Sequence, residues 1–213
     1  MQTQPASFNE IAARIRSLGF VVFDAKPYDM TIYGIRAHRR TQGITANEGT
    51  DWDDLIGVLF RDEHGTPHNI WAPGTTDPGR YYLNAPMNNA GTAILIADYQ
   101  HRGCWRLGKH AGKYDALVNR VKPVRFVRDD NRDSILDIEK LTTTTTTFNQ
   151  AIGANLHRAS SKGVASEIGR YSAGCQVVRH PWKFDQLMSV FKLQPIWRHT
   201  DVFSYALLNE WRS

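Results

Sequence analysis

Short apolar runs separated by polar turns dominate the sequence from about residue 30 onward. Most runs are too short for helices, and β-branched and aromatic residues are frequent in them, which is typical of strands. Turn clusters such as Asp62-Glu63-His64-Gly65 and Pro73-Gly74 separate the runs. We therefore expect strands over residues 31–37, 55–61, 68–72, 93–97, 105–108, 124–127, 151–157, 176–179 and 202–208.

Two segments carry the three- to four-residue spacing of an amphipathic helix instead. Near the N-terminus, Ser7 and Glu10 have the capping-box pattern. Ile11 and Ile15 follow on one face of the predicted helix, and Gly19 is a stop signal. The second segment, residues 182–193, predicts a helix with one apolar face made by Phe184, Leu187, Met188 and Phe191.

Many short strands and few helices predict a β-rich α+β fold, built as a β-sandwich or an open barrel. At 213 residues the chain fits one large domain with a small addition. We therefore predict an N-terminal helix and connector over residues 1–28 and a single domain over residues 29–213. The run of six threonines at 142–147 predicts an extended loop.

The chain has the composition of a globular protein, with 41% hydrophobic residues and a formal net charge of +5. That charge suits an anionic cell-wall polymer, nucleic acid or a membrane surface, and equally a generic solubilising surface. The basic cluster of Arg36, His38, Arg39 and Arg40 has a size usual for solvated surface, so we predict no nucleic-acid partner. No run of about 18 apolar residues occurs, which predicts no stable membrane insertion. The first residues lack a basic-then-apolar signal, so we expect a cytoplasmic protein.

A candidate thiol nucleophile stands at Cys175, directly after the small residues Ser172-Ala173-Gly174. Thiol chemistry needs a base and backbone amides for the oxyanion. His157, eighteen positions earlier, is the predicted base, and the amides of residues 173–175 are the predicted oxyanion donors. Ser172 is expected to shape the turn or to bind substrate. The alternative for Cys175 is a buried structural cysteine.

The second cysteine, Cys104, lies in an alternating stretch and is predicted to be buried in a strand. Two cysteines do not make a disulfide framework, so we expect free thiols. Arg158 and Arg170 flank the predicted pair and would either grip a substrate carboxylate or remain on the solvated surface. The segment 75–79 predicts a tight hydrogen-bonded turn.

Zinc is the main rival chemistry because the chain has eight histidines. His64 and His68 have a helical ligand spacing, but the glycine and proline between them oppose a helix. His101 and His110 are nine positions apart across a predicted hairpin. Neither a phosphate-binding glycine-rich loop nor a dinucleotide fingerprint is present. We predict no metal and no cofactor, while a zinc-dependent wall amidase or peptidase stays an alternative.

His157, Ser172, Gly174 and Cys175 together resemble the active-site segment of L,D-transpeptidase (YkuD-type) catalytic domains. That family has a histidine followed, after a loop, by Ser/Thr-His-Gly-Cys. The resemblance implies an L,D-transpeptidase-like fold, a cysteine nucleophile and a histidine oriented by the next backbone carbonyl, here that of Arg158. A carboxylate such as Asp137 or Glu167 stays an alternative for orienting His157. Ala173 departs from the pattern, since the family usually has a second histidine there.

A wider set of segments, over about residues 30–190, resembles a group of phage and bacterial proteins that are similar to L,D-transpeptidase domains. Those proteins are often encoded among phage lysis genes. The matching segments are 75–79, 84–87, 91–95, 113–117, 128–129, 155–160 and 172–177. His110, Arg128 and Asp129 belong with these landmarks as possible cleft residues.

The resemblance implies a phage-type endolysin: a cysteine peptidase that cleaves peptidoglycan stem peptides or cross-links through a thioester. Its substrate-binding residues would be Arg170, His110 and Gln176. It would be made in the cytoplasm of the infected cell and reach the periplasm and cell wall through a separate holin-like pore. The alternatives are an L,D-transpeptidase that forms cross-links and a catalytically inactive wall- or virion-binding module.

Overall fold

A computed structural model describes residues 6–36, 52–120, 122–137 and 146–209. The helices are α1 (Phe8–Ser17), α2 (Arg80–Asn84), α3 (Pro181–Phe191) and α4 (Leu193–Arg198). The strands are β1 (Thr31–Arg36), β2 (Asp54–Arg61), β3 (Pro67–Thr75), β4 (Thr92–Leu95), β5 (Tyr99–His110), β6 (Tyr114–Val118), β7 (Val124–Asp129), β8 (Phe148–Gln150), β9 (Leu156–Arg158), β10 (Gln176–Val178) and β11 (Val202–Asn209). The predicted β-rich α+β class is confirmed.

Eight strands close into a barrel in the order β1-β11-β5-β6-β9-β10-β3-β2, and β4, β7 and β8 form a separate three-stranded sheet. The predicted sandwich or open barrel is therefore corrected to a closed barrel. Closure leaves none of these eight strands with an unpaired edge. Most neighbours run antiparallel, but β1 pairs in parallel with β11, and β9 pairs in parallel with β10.

Both predicted helices form, and their caps and faces agree with the sequence pattern. At the start of α1 the Ser7 Oγ accepts a hydrogen bond from the Glu10 amide (3.3 Å). The Glu10 carboxylate accepts one in return from the Ser7 amide (2.6 Å), which completes the capping box. In α3 the four predicted apolar residues, Phe184, Leu187, Met188 and Phe191, are all buried.

Helix α1 covers the outer face of the barrel, so β1 is buried on both sides. Ile32 belongs to the cluster inside the barrel. Its neighbours Tyr33 and Ile35 point outward and pack with Ile11 and Ile15 of α1. This double burial explains why β1 is apolar without the polar alternation of a half-exposed strand. The predicted boundary between an N-terminal segment (residues 1–28) and a single domain (residues 29–213) stays a prediction.

The single strand predicted over residues 151–157 is wrong. Residues 151–155 lie outside any strand, and only residues 156 and 157 belong to a strand, β9. The amides of Ile152 and Gly153 donate to the Asn119 side-chain oxygen, at 3.0 and 3.3 Å, instead of to a neighbouring strand. Neither β6 nor β8 was among the predicted strands. Residues 142–145 of the predicted loop and positions 38–40 of the basic cluster lie outside the described residues.

A chain of buried hydrogen bonds crosses the barrel interior. The Asp54 carboxylate accepts from the Thr76 amide (2.6 Å) and from the Thr76 hydroxyl (2.7 Å). The Thr76 carbonyl accepts from the Gln176 side-chain amide (3.2 Å), and the Gln176 oxygen accepts from the Tyr205 hydroxyl (2.6 Å). These four residues are fully buried, so the network fixes β2, β3, β10 and β11 relative to one another.

An ion pair between Arg36 and Asp77 lies beside this network. The guanidinium and carboxylate are 2.8 Å apart, and the two side chains are only 2% and 1% exposed. The interpretation of Arg36 as solvated surface is therefore wrong. The predicted turn at 75–79 is confirmed, because the Thr75 hydroxyl donates to the Asp77 carbonyl (3.0 Å).

Within the part of the chain that the structure describes, no helix is both long enough and apolar enough to cross a membrane.

Asp77→Asn should destabilise the barrel, because it leaves the Arg36 guanidinium buried without its opposite charge. We expect the free energy of unfolding to fall by about 3 kcal/mol or more. Urea unfolding followed by circular dichroism measures the change. Asp201→Asn is the matched control: it removes a carboxylate that pairs with Arg106 at the surface (3.3 Å) and should cost about 0.5 kcal/mol. Equal losses in the two variants would contradict the structural role of the buried pair.

Candidate active site

The parallel pairing of β9 and β10 brings the predicted base and the predicted nucleophile together. Val177 lies opposite His157 in the register, and the Gln176 amide donates to the Asn155 carbonyl (2.8 Å). Cys175 directly precedes β10 and is therefore adjacent to the start of β9. Two residues that are eighteen positions apart in sequence thus face one site.

Cys175 is held by a turn in which each preceding residue has a structural role. The buried Ser172 hydroxyl donates to the Cys175 carbonyl (2.8 Å) and accepts from the Gly174 amide (3.2 Å). Gly174 has φ +109°, and a Cβ on it would lie 2.5 Å from the Ala93 carbonyl oxygen. Glycine is therefore required here by both backbone conformation and space. Ser172 shapes the turn, and its burial removes it from substrate contact.

The turn changes the set of predicted oxyanion donors. Because the Gly174 amide already donates to Ser172, it is not available to an incoming oxygen in this state. The amides of Ala173 and Cys175 remain the predicted donors. Both residues line the cavity described below.

His157 is oriented by its own strand. Its Nδ1 lies 2.9 Å from the Arg158 carbonyl oxygen, which is the contact that the family resemblance implied. A carbonyl can only accept, so Nδ1 carries the proton and Nε2 presents a lone pair. The Tyr114 hydroxyl donates to the same carbonyl at 3.3 Å. The imidazole is thus fixed in the tautomer that a base at Nε2 requires.

A second histidine, His110, is stacked on His157. The ring centroids are 3.9 Å apart and the planes are inclined by 22°. The Asn155 side-chain amide donates to the His110 Nδ1 (3.2 Å), which places the His110 proton on Nε2. Two stacked imidazoles at this distance disfavour a positive charge on either ring, so the pair favours neutral forms.

Burial sets the protonation states of His157 and Cys175. It lowers the pKa of His157 to about 4, and the neighbouring His110 acts in the same direction. Burial also raises the pKa of the Cys175 thiol to about 11, against a smaller opposing effect of the Asn155 backbone. At neutral pH the site therefore contains a neutral imidazole and a neutral thiol. The Cys175 Sγ lies 3.6 Å from the Gly153 carbonyl oxygen, which accepts a hydrogen bond from the thiol.

The thiol and the imidazole line one cavity of about 590 Å³. Its walls come from α2 and the loop after it, from β4 and β7, from the segment after β8, and from the Cys175 turn. The lining residues are Tyr82, Met87, Asn88, Gly91, Thr92, Ala93, His110, Arg128, Gln150, Ile152, Gly153, Ala154, His157, Arg170, Tyr171, Ala173, Gly174 and Cys175. A volume of this size suits a ligand of several residues or rings.

The cavity contains most, though not all, of the predicted site residues. His110 and Arg170 line it, as does the predicted cleft residue Arg128. Gln176 does not: its fully buried side chain points into the barrel network, so the prediction that it binds substrate is wrong. The Arg158 side chain also lies outside the lining, where it pairs with Asp185 (3.7 Å). Arg158 serves the site through its backbone carbonyl.

Two supporting residues, Tyr114 and Asn155, had no predicted role. Tyr114 contacts the carbonyl that orients His157, and Asn155 holds His110. Both lie in segments that carry the wider family resemblance, which was the only available signal. Cys104 is buried and free, and Cys175 is half-buried and free, as expected.

The alternative of a zinc site has no support in the described residues. Among them, no group of three His, Cys, Asp or Glu side chains is placed to hold a metal ion. His101 is buried and bonded to backbone groups. Its Nδ1 accepts from the Arg125 amide (3.1 Å), and its Nε2 lies 3.3 Å from the Ile96 carbonyl.

Gly174→Ala should disrupt the Cys175 turn, because the new Cβ meets the Ala93 carbonyl and the backbone has a positive φ. We expect a loss of at least about 2 kcal/mol in the free energy of unfolding. Gly163→Ala is the control within the same loop, since a Cβ there meets nothing within 4 Å. It should change stability by less than about 1 kcal/mol. Thermal unfolding of both variants makes the comparison, and a neutral Gly174→Ala would refute the packing argument.

Alkylation of Cys175 should depend on pH with an apparent pKa near 11, because burial keeps the thiol protonated. Below pH 9 its thiolate fraction is about a hundredfold smaller than that of a thiol with the ordinary pKa of 9.0. The rate with iodoacetamide, measured by peptide mass spectrometry from pH 7 to 11, should therefore rise throughout this range. A plateau that begins at pH 7 would mean a preformed thiolate and contradict the neutral pair.

A scan against models of known protein families, a search of curated proteins and a search of solved structures each found no match to this chain. The assignment of a function therefore rests on the geometry of the site and on the resemblance of its motifs.

Proposed function

We propose that this chain is a cysteine-dependent acyl-transfer enzyme with Cys175 as nucleophile and His157 as general base. One observation carries the proposal: a partly exposed thiol and a neutral, oriented imidazole line the same cavity. A structural cysteine needs neither the cavity nor the fixed tautomer. The small residues before Cys175 leave space for a carbonyl group at the thiol.

In the proposed reaction the His157 Nε2 takes the thiol proton while Cys175 Sγ attacks a peptide carbonyl carbon. The resulting oxyanion is stabilised by the amides of Ala173 and Cys175. Collapse of the tetrahedral intermediate breaks the C–N bond, and His157 returns the proton to the leaving amine. A thioester remains. Water then attacks it in hydrolysis, with His157 again accepting the proton, and the free thiol is restored.

Because the thiol and the imidazole are both neutral before the reaction, the order of proton transfer and attack is constrained. The proton must move during attack, because a separated thiolate and imidazolium is disfavoured by the burial that lowers the pKa of His157 to about 4. The base is thus active over the whole range above that pKa. This differs from an ion-pair mechanism, in which the low pKa of the thiol sets the lower limit of activity and the raised pKa of the imidazolium sets the upper limit.

We infer that the substrate is peptidoglycan and that the enzyme is a phage-type endolysin which cleaves stem-peptide or cross-link bonds. The support is the resemblance of the segments that contain His157 and Cys175 to L,D-transpeptidase domains, together with a cavity large enough for a peptide. Release to the cell wall through a separate holin-like pore belongs to the same proposal. An amine in place of water would resolve the same thioester by transpeptidation.

Cys175→Ala should abolish release of soluble fragments from purified Gram-negative peptidoglycan, because no other group in the proposed mechanism can form the thioester. We expect a loss of at least about a thousandfold in rate. Mass spectrometry of the muropeptides identifies the bond that is cleaved and distinguishes hydrolysis from new cross-links.

Cys104→Ala is the matched control, since it removes the other thiol from a buried position outside the cavity. It should retain activity. If wild type and Cys175→Ala release the same products, the cysteine is structural, and inhibition by a chelator would then indicate the zinc alternative. Wall binding without any product would indicate the inactive binding module.

A further inference from the structure

The charge of the cavity is set by two arginines. Arg128 comes from β7 in the three-stranded sheet, and Arg170 comes from the loop that leads to the Cys175 turn. No Asp or Glu is among the residues that line this cavity in the described part of the chain. Burial lowers the pKa of both His157 and His110, so the histidines add no charge at neutral pH. The cavity therefore has a net positive charge.

Arg128 is held in a fixed position. One of its terminal nitrogens donates to the Gly91 carbonyl (2.6 Å). Its guanidinium lies 5.1 Å from the centre of the Phe126 ring and 5.8 Å from that of Phe148. These ring contacts restrain the planar group beside the cavity that it lines.

Arg128 is also connected to the nucleophile through the backbone. It lies opposite Ala93 in the β4–β7 pairing, and the Ala93 carbonyl packs directly against Gly174. The strand pair thus forms a wall that ends at the residue before Cys175. A ligand bound by Arg128 along this wall would reach the thiol.

Arg170 faces the same space from the other side of the turn. Its guanidinium lies 4.0 Å from the centre of the Tyr81 ring, and its side chain is exposed. Arg158 makes an instructive contrast, since its charge is already matched by Asp185 and its guanidinium covers Tyr114 outside the cavity. Arg128, rather than Arg158, is the second cation of the site.

We propose that Arg128 and Arg170 bind carboxylates of the substrate, so that the site selects an acidic peptide. Two like charges in one partly enclosed cavity repel each other, and an anionic ligand relieves that repulsion. The planar fork of a guanidinium matches a carboxylate with two hydrogen bonds. This inference rests on the proposed function in one respect: Cys175 is the thiol that reacts with the bound peptide.

Two small alkylating agents of different charge test the inference without a peptide substrate. Cys175 is alkylated at pH 9.5 with anionic iodoacetate and with neutral iodoacetamide, and the ratio of the two rates is compared with that of 2-mercaptoethanol. We expect the wild-type ratio to exceed that of the model thiol by about tenfold. Arg128→Gln and Arg170→Gln should each lower the ratio by about threefold. The iodoacetamide rate in each variant reports whether the thiol environment is intact.

Arg106→Gln is the matched control, because it removes the same charge from a surface position that pairs with Asp201. Its ratio should equal that of wild type. A wild-type ratio equal to that of the model thiol, or an equal fall in all three variants, would overturn the inference.

The peptidoglycan assay keeps this result separate from the proposed function. Anion preference without peptidoglycan turnover supports the inference and assigns the site to another acidic peptide. Turnover without anion preference overturns the inference and leaves the cysteine mechanism in place.

Discussion

The pairing of two three-residue strands is the constraint on which the rest of the site depends. β9 and β10 run in parallel within the barrel, and each makes few other sheet contacts: β9 pairs with β6 at one residue, and β10 pairs with β3 at two. The same few hydrogen bonds that join these two strands also bring His157 and Cys175 to one cavity. The geometry of the candidate site therefore depends on an intact barrel.

The polar interior of the barrel explains how such short strands stay in register. Gln176, directly after Cys175, extends inward to the Thr76 carbonyl and the Tyr205 hydroxyl. Because side chains alternate along a strand, anchoring residue 176 inward directs its neighbours to the other side. Buried hydrogen bonds of this kind are costly to break, since each lost partner leaves a desolvated polar group. The buried network thereby fixes the backbone next to Cys175.

Local patterns in the sequence were sufficient for the first three strands, for α1 with its capping box and for the apolar face of α3. They also indicated His157 and Cys175, because small residues before a cysteine are a local signal. They failed where contacts are long-range. Tyr114 and Asn155 support the histidines across more than 40 positions of sequence. The sequence indicated a surface position for Arg36, because no local pattern reveals its buried partner Asp77, which is 41 positions away.

The position of β11 has a consequence for how the protein is made. This last described strand lies between β1 and β5, so it joins the beginning of the barrel to its middle. As a ribosome releases the chain from its N-terminal side, the seven other strands of the barrel emerge before β11, which pairs with both β1 and β5. The emerging chain can form hairpins such as β2–β3, but it cannot complete the barrel. An intact barrel around Cys175 and His157 therefore requires that β11 has already been synthesised.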